Sequence, residues 1–148
     1  MNNKVVWITG ASTGIGKEIA SAFSRAGYIV VVTGRRKSRL VNLAGEIKFA
    51  GREASAFVCN VASERSVAST TKRILEKYGR IDCLVNNAGV TQKMTPLTQT
   101  TEQMFDHTYG TNTKGPMHLS TLVAARMAES GGGTIVNIVT MGALRSCG

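Results

Sequence analysis

Gly10, Gly14 and Gly16, spaced through the run Thr9-Gly-Ala-Ser-Thr-Gly-Ile-Gly16, are the residues of this sequence best placed to hold an anion. An apolar run, Lys4-Val-Val-Trp-Ile-Thr9, precedes the turn and reads as a strand buried on both faces. An amphipathic helix follows, with Ile15, Ile19, Ala22, Phe23 and Ala26 expected on one face. Strand, glycine turn and helix in that order bring backbone close to a phosphate. The free N–H groups and positive dipole end of the helix then hold its charge. A side chain at Gly14 or Gly16 would stand between backbone and ligand. The spacing departs from G-x-G-x-x-G, and the plain alternative is a glycine-rich turn that binds nothing.

The elements that must position this turn follow from the rest of the pattern. Residues 28 to 33 read as a second buried strand, and residues 37 to 50 as a helix with Leu40, Leu43, Ala44 and Ile47 inward, ended by Gly51. A third strand is expected over 54 to 60. Ser63 then caps a helix carrying Val67, Ile74 and Tyr78, stopped at Gly79. Residues 81 to 86 give a fourth strand. Thr100-x-x-Gln103 reads as a capping box opening one long helix to about residue 129, with Gly110, Gly115 and Pro116 as points of irregularity. After Gly131-Gly-Gly133, a fifth strand is expected over 134 to 139. Strands alternating with helices mean right-handed crossovers and a parallel sheet. The fold class is α/β, a Rossmann-type doubly wound sheet in three layers, and residues 1 to 148 form a single dinucleotide-binding domain.

In such a sheet a ligand lies outside the carboxyl ends of the strands. Past the second strand stand Arg35 and Arg36, where an acid would grip the ribose of NAD. Paired guanidiniums suit a 2′-phosphate instead, so NADP is favoured over NAD; a solvated basic turn is the alternative. Asn60 and Val61 follow the third strand, where an amide could meet an adenine edge. Asn86-Asn87-Ala88-Gly89 follows the fourth, its small residues letting a ribose lie against the backbone.

With Thr9-Gly-Ala-Ser-Thr-Gly-Ile-Gly16, Asn86-Asn87-Ala88-Gly89, Asn112-Thr-Lys-Gly115 and Gly133-Thr-Ile-Val-Asn-Ile138 in that order, the sequence resembles the classical short-chain dehydrogenase/reductase family along essentially its whole length. The resemblance implies hydride transfer between NAD(P)(H) and a small-molecule carbonyl or alcohol. It implies that Gly10, Ser12, Thr13, Gly14, Ile15 and Gly16 line the pyrophosphate, and that Arg35 and Arg36 sit at the 2′ position. Asn60 and Val61 would meet the adenine, and Asn87, Ala88 and Gly89 the ribose side, while Asn86 steadies the sheet. Asn60 stands where the family often has Asp. The family's catalytic set is Ser, Tyr and Lys with a helical Asn. Asn112 matches the Asn, and Thr140 stands at the Ser position, its extra methyl restricting the hydroxyl. The Tyr-x-x-x-Lys pair has no match here: Tyr28, Tyr78 and Tyr109 have no Lys four residues on. The chain is therefore expected to be a truncated part of a longer enzyme, lacking the family's C-terminal portion, catalytically inert and marginally stable. A homo-oligomer is implied for the full-length protein.

Composition excludes other classes. At 43% hydrophobic residues the chain is not disordered, and no apolar run reaches the length of a membrane span. The net charge of +9 is dispersed over helix surfaces apart from residues 35 to 39, without a recognition motif, so nucleic acid is not the expected partner. Cys59, Cys83 and Cys147 lack metal-type spacing and read as reduced thiols of a cytoplasmic protein, with no metal site. His107 and His118 read as helix-face residues without a partner carboxylate.

Overall fold

The structure, a computed structural model, describes residues 4–91 and 95–140. Five strands, β1 (Val5–Thr9), β2 (Ile29–Gly34), β3 (Ala54–Val58), β4 (Cys83–Asn86) and β5 (Thr134–Asn137), form one sheet in the order β3-β2-β1-β4-β5. All pairings are parallel. The opening strand thus lies in the middle of the sheet, buried along its full length.

Alternation along β1 assigns the two faces. Val6 and Ile8 pack with Val30, Val32 and Val85 under α1 (Gly14–Arg25) and α2 (Lys37–Phe49). Val5 and Trp7 pack with Val31 and Leu84 under α3 (Glu64–Tyr78) and α5 (Gly115–Glu129). Each fully buried aliphatic side chain contributes about 1.5–3 kcal/mol. Trp7 is buried without leaving a stranded donor, because its Nε1–H donates to Thr33 Oγ1 at 2.9 Å.

Several boundaries differ from the sequence reading. On α1 the buried residues are Gly16, Ala20 and Ser24, with Ile19 and Phe23 partly covered; Ala22 and Ala26 are exposed, and Ile15 is 64% exposed. Small residues form the fully buried stripe of the helix, and Ile19 and Phe23 pack against the same core. β3 ends at Val58, and Cys59 makes one further bond, its N–H donating to Gly34 O at 2.9 Å. The capping residue before the long helix is Thr101, not Thr100: Thr101 Oγ1 accepts from Met104 N at 3.3 Å. Thr100 instead closes a 3₁₀ turn over Leu97–Gln99. Nor is the helix continuous. α4 (Glu102–Tyr109) passes into a π-helical segment, Gly110–Lys114, before α5 begins. Gly115 donates its N–H to Gly110 O, five residues back. Pro116 has no N–H for Asn112 O, so the α-helical bond at that step cannot form.

β5 is an outer strand that ends at Asn137 and not at the expected 139; Val136 within it is 37% exposed, and Val139 beyond it is 82% exposed. Among the described residues, no helix is long and apolar enough to cross a membrane. Cys59 and Cys83 are buried free thiols, while Cys147 lies outside the described residues. His118 meets a carboxylate from another helix and not at ligand spacing along its own: its Nδ1 lies 3.4 Å from Glu64 Oε1. The periodicity of one helix could not reveal a pair formed between α5 and the start of α3.

Candidate functional site

Strands β2 and β3 lie to one side of β1 and β4 and β5 to the other, and past the carboxyl ends of these strands, where the order switches, a crevice of about 710 Å³ opens. Gly10, Ser12, Thr13, Gly14, Ile15 and Gly16 line one side. Arg35 and Arg36, Asn60 and Val61, and Asn87, Ala88 and Gly89 line the rest. Every residue expected at the cofactor therefore borders the same space. Asn112 and Thr140 are not among the lining residues, although Thr111, next to Asn112, is. Gly34, Cys59, Val90 and Thr111 were missed by the sequence reading. The first two could have been found from their positions at strand ends; nothing local marks Thr111.

The glycine turn is held from behind. Asn87 Nδ2 donates to Thr9 O at 2.9 Å and Gly10 O at 3.2 Å, which points its amide into the turn and not into the crevice. A Cβ on Gly10 would stand 2.7 Å from Ala88 Cα, so turn and β4 loop touch backbone to backbone. Ala11 N–H donates to Thr33 O at 3.1 Å and ties the turn to β2. Gly14 has φ +57°, which favours glycine, and its Cβ position meets nothing within 4 Å.

The front of the turn is electropositive. Thr13, at the N-cap of α1, makes no capping bond to the helix. Its Oγ1 instead accepts from Arg36 Nη2 at 3.0 Å, and Ser12 Oγ accepts from the same nitrogen at 3.1 Å. The first-turn amides of α1 are thus left without a side-chain acceptor, and no acid stands in that turn. Among the described residues, the crevice lining includes no carboxylate. These features fit a dinucleotide: a glycine-rich cradle, orphan helix donors and cations at the rim.

Asn60 bends its own loop, Oδ1 accepting from Ala62 N at 3.2 Å. Burial pushes the Cys59 thiol up from its ordinary pKa, with hydrogen bonds to Thr70 and Ser66 opposing, so it is a packed wall and not a nucleophile. Asn86 bridges the sheet to α5, its Nδ2 donating to Asn137 Oδ1 at 2.9 Å and Ser120 Oγ at 3.0 Å. Asn112, in the π-helical segment, pairs with both backbone groups of one residue: Oδ1 accepts from Val90 N and Nδ2 donates to Val90 O, each at 2.9 Å. Thr140 is exposed beyond β5. Among the described residues, no three His, Cys, Asp or Glu side chains are grouped to hold a metal ion.

Comparison with known proteins agrees with this geometry. A family model described as short chain dehydrogenase matches residues 4–147. The chain is 37% identical over 143 residues to the 7alpha-hydroxysteroid dehydrogenase of Escherichia coli K12, covering 97% of this chain and 55% of that protein. A crystal structure of a metagenomic short-chain oxidoreductase in complex with NADP superimposes with a TM-score of 0.91 at 34% identity, over 94% of this chain and 63% of that one. A 7 alpha-hydroxysteroid dehydrogenase complexed with NADH and 7-oxo glycochenodeoxycholic acid superimposes with a TM-score of 0.92 at 37% identity, over 97% and 55%. The chain spans about half the length of the curated relatives it matches.

Proposed function

Because the chain belongs to the short chain dehydrogenase family, we propose that it is the cofactor-binding part of an oxidoreductase exchanging hydride between NADP(H) and a small carbonyl or alcohol substrate. One observation carries the reading: an uncapped helix start, a glycine-rich turn and two arginines meet in a single crevice that, among the described residues, is lined by no carboxylate. When bound, the nicotinamide would give or take the hydride. The chain's own residues would bind and orient. The amides of residues 10 to 16 would hold the diphosphate, and Arg35 and Arg36 the 2′-phosphate through charge-assisted bonds. Asn60 and Val61 would bound the adenine, and Asn87, Ala88 and Gly89 the ribose side. Thr140 would orient the substrate oxygen and Asn112 would hold a water, both on the family resemblance. Exposed Phe105, Tyr109 and Met117 on α4 and α5 support a homo-oligomer for the full-length protein, and the two buried free thiols support a cytoplasmic setting.

Neighbours that bind NADP and NADH leave the choice of cofactor to this chain's arginines. Calorimetric titration tests it: NADPH should bind more tightly than NADH, and Arg35→Asp should weaken NADPH by about tenfold or more while sparing NADH. Equal losses for the two cofactors would show the site to be misassigned. A second reading, nucleotide binding without turnover, is favoured by the three tyrosines that lack a lysine four residues on. Oxidation of NADPH by this chain with any member of a carbonyl panel would refute that second reading.

A further inference from the structure

We propose that Gly115 is a positioning residue: by seating α5 against the carbonyl of Val61, it sets where Asn112 grips Val90 and so joins the two ends of the crevice. This rests on the crevice being the nucleotide site only for its functional meaning, not for its geometry. A Cβ on Gly115 would lie 2.9 Å from Val61 O, 3.1 Å from Val61 Cγ2 and 3.2 Å from Val61 C. The obstacle is mostly backbone, which cannot step aside as a side chain tip can. Gly115 is buried, and Val61 is buried at the crevice wall. Five residues earlier, Gly110 also faces this loop, but a Cβ there would stand 3.9 Å from Ala62 Cβ, an ordinary contact.

Between these two glycines runs the π-helical segment. Relative to an α-helix, a π turn carries one extra residue, which re-aims the side chains it contains by roughly 100°. Asn112 is one of them, and it pairs with both the N–H and the C=O of Val90. Val61 borders one end of the crevice and Val90 another. A continuous chain of contacts therefore runs from Val61 through Gly115 and the π-helical segment to Asn112 and Val90. Displacing α5 at its first residue moves Asn112 with it, and Val90 loses its two-way partner.

Nuclear magnetic resonance of the 148-residue chain tests this without any ligand. In Gly115→Ala the Val90 amide resonance should move toward its position in Asn112→Ala, and its hydrogen exchange should quicken by roughly 2- to 30-fold. Gly110→Ala should leave both unchanged. A folded Gly115→Ala with a wild-type Val90 amide would overturn the proposal. If Gly115→Ala does not fold, Val61→Ala reads the same seat from the other side: faster Val90 exchange supports the proposal, and wild-type exchange overturns it. Adding 2′,5′-ADP to the wild type should slow Val90 exchange. If 2′,5′-ADP does not bind, the nucleotide reading fails, while the ligand-free comparison still decides the role of Gly115.

Discussion

Gly16→Ala and Gly45→Ala are the same chemical change in two helices, and the structure predicts opposite signs for them. Gly45 is an exposed position inside α2, and a Cβ there meets nothing within 4 Å. Alanine should gain helix propensity there, about 0.5–1 kcal/mol. For a chain of this size that raises Tm by about 1–4 °C. Gly16 offers the same propensity gain, but its Cβ would run into Asn87 Nδ2 and stand 2.7 Å from Gly10 O and 2.9 Å from Ala11 Cα. Two of those obstacles are backbone, and the third is fixed by bonds to Thr9 O and Gly10 O. Overpacking costs about 1–3 kcal/mol. Disturbing the two Asn87 bonds to those carbonyls costs about 1 kcal/mol each. Net of the propensity gain, Gly16→Ala should lose about 2–4 kcal/mol. Urea unfolding followed by tryptophan fluorescence measures both, since Trp7 is the single tryptophan and lies in β1, directly before the turn. The double variant Gly16→Ala/Asn87→Ala should lose less than the sum of the single losses, because the clash with Nδ2 disappears with it. A Gly16→Ala protein as stable as wild type, or additivity in the double variant, would refute the close packing of turn, helix and β4 loop.

Three further outcomes follow from buried polar contacts. Thr33→Val strands the Trp7 Nε1–H inside the core and should lower stability by about 1–3 kcal/mol in urea unfolding, with Thr33→Ser restoring most of the loss. Asp82 Oδ2 accepts from Val5 N at 2.7 Å, and Arg80 Nε reaches both carboxylate oxygens at 3.0 and 3.1 Å. Burial alone would raise the Asp82 pKa, but the Arg80 bond, the Val5 amide and the Arg80 and Lys4 charges together hold it below its usual 3.8. A depressed carboxylate contributes its stability above about pH 4 and loses it as pH falls through the lower folded value. Asp82→Asn should therefore be the less stable protein at neutral pH, with the gap closing in acid; a pH-independent gap in unfolding free energy would contradict the assignment. Finally, burial raises the pKa of Cys59, and burial with the Asp82 charge raises that of Cys83. At pH 8 peptide mapping should find both thiols unlabelled by a disulfide reagent until urea is added.

What the sequence made legible was local or periodic. Apolar runs placed all five strands, and the rule that ligands sit past the carboxyl ends of parallel strands selected Arg35, Asn60 and Asn87 although no two are neighbours in the chain. What stayed hidden depends on which distant segments touch. The face of α1 was read in part: Ile19 and Phe23 do pack on the core, but periodicity ranks hydrophobic side chains and so missed Gly16, Ala20 and Ser24 as its buried residues. Thr100 and Thr101 are both plausible caps by type, and only the 3₁₀ turn before them decides. The π-helical segment left glycine and proline as a trace, but the close approach of Gly115 to the Val61 carbonyl, about fifty residues upstream, left none. Asn87 lines the crevice, and its Nδ2 also donates to two carbonyls of the glycine turn, a tie between distant segments that the sequence alone does not show.

That last point explains how the crevice keeps its shape. Thr9 Oγ1 accepts from Asn87 N and from Ala88 N, both at 3.0 Å, and donates to Val85 O at 3.3 Å. One hydroxyl thus closes the ends of β1 and β4 together. Asn87 then returns across the same gap to the carbonyls of Thr9 and Gly10. The side chains that could have filled the crevice are spent on its walls: Asn87 on the turn, Asn60 on its own loop, Asn112 on Val90, and the Thr13 hydroxyl on Arg36. What is left facing the opening is glycine backbone, the two arginines and the small or apolar side chains of Ile15, Val61, Ala88 and Val90. Such a surface is electrically incomplete, since α1 points its positive end into it without a capping acid. A bound polyphosphate would supply the missing acceptors, and it could do so without rearranging any of the bonds that hold the turn to β4.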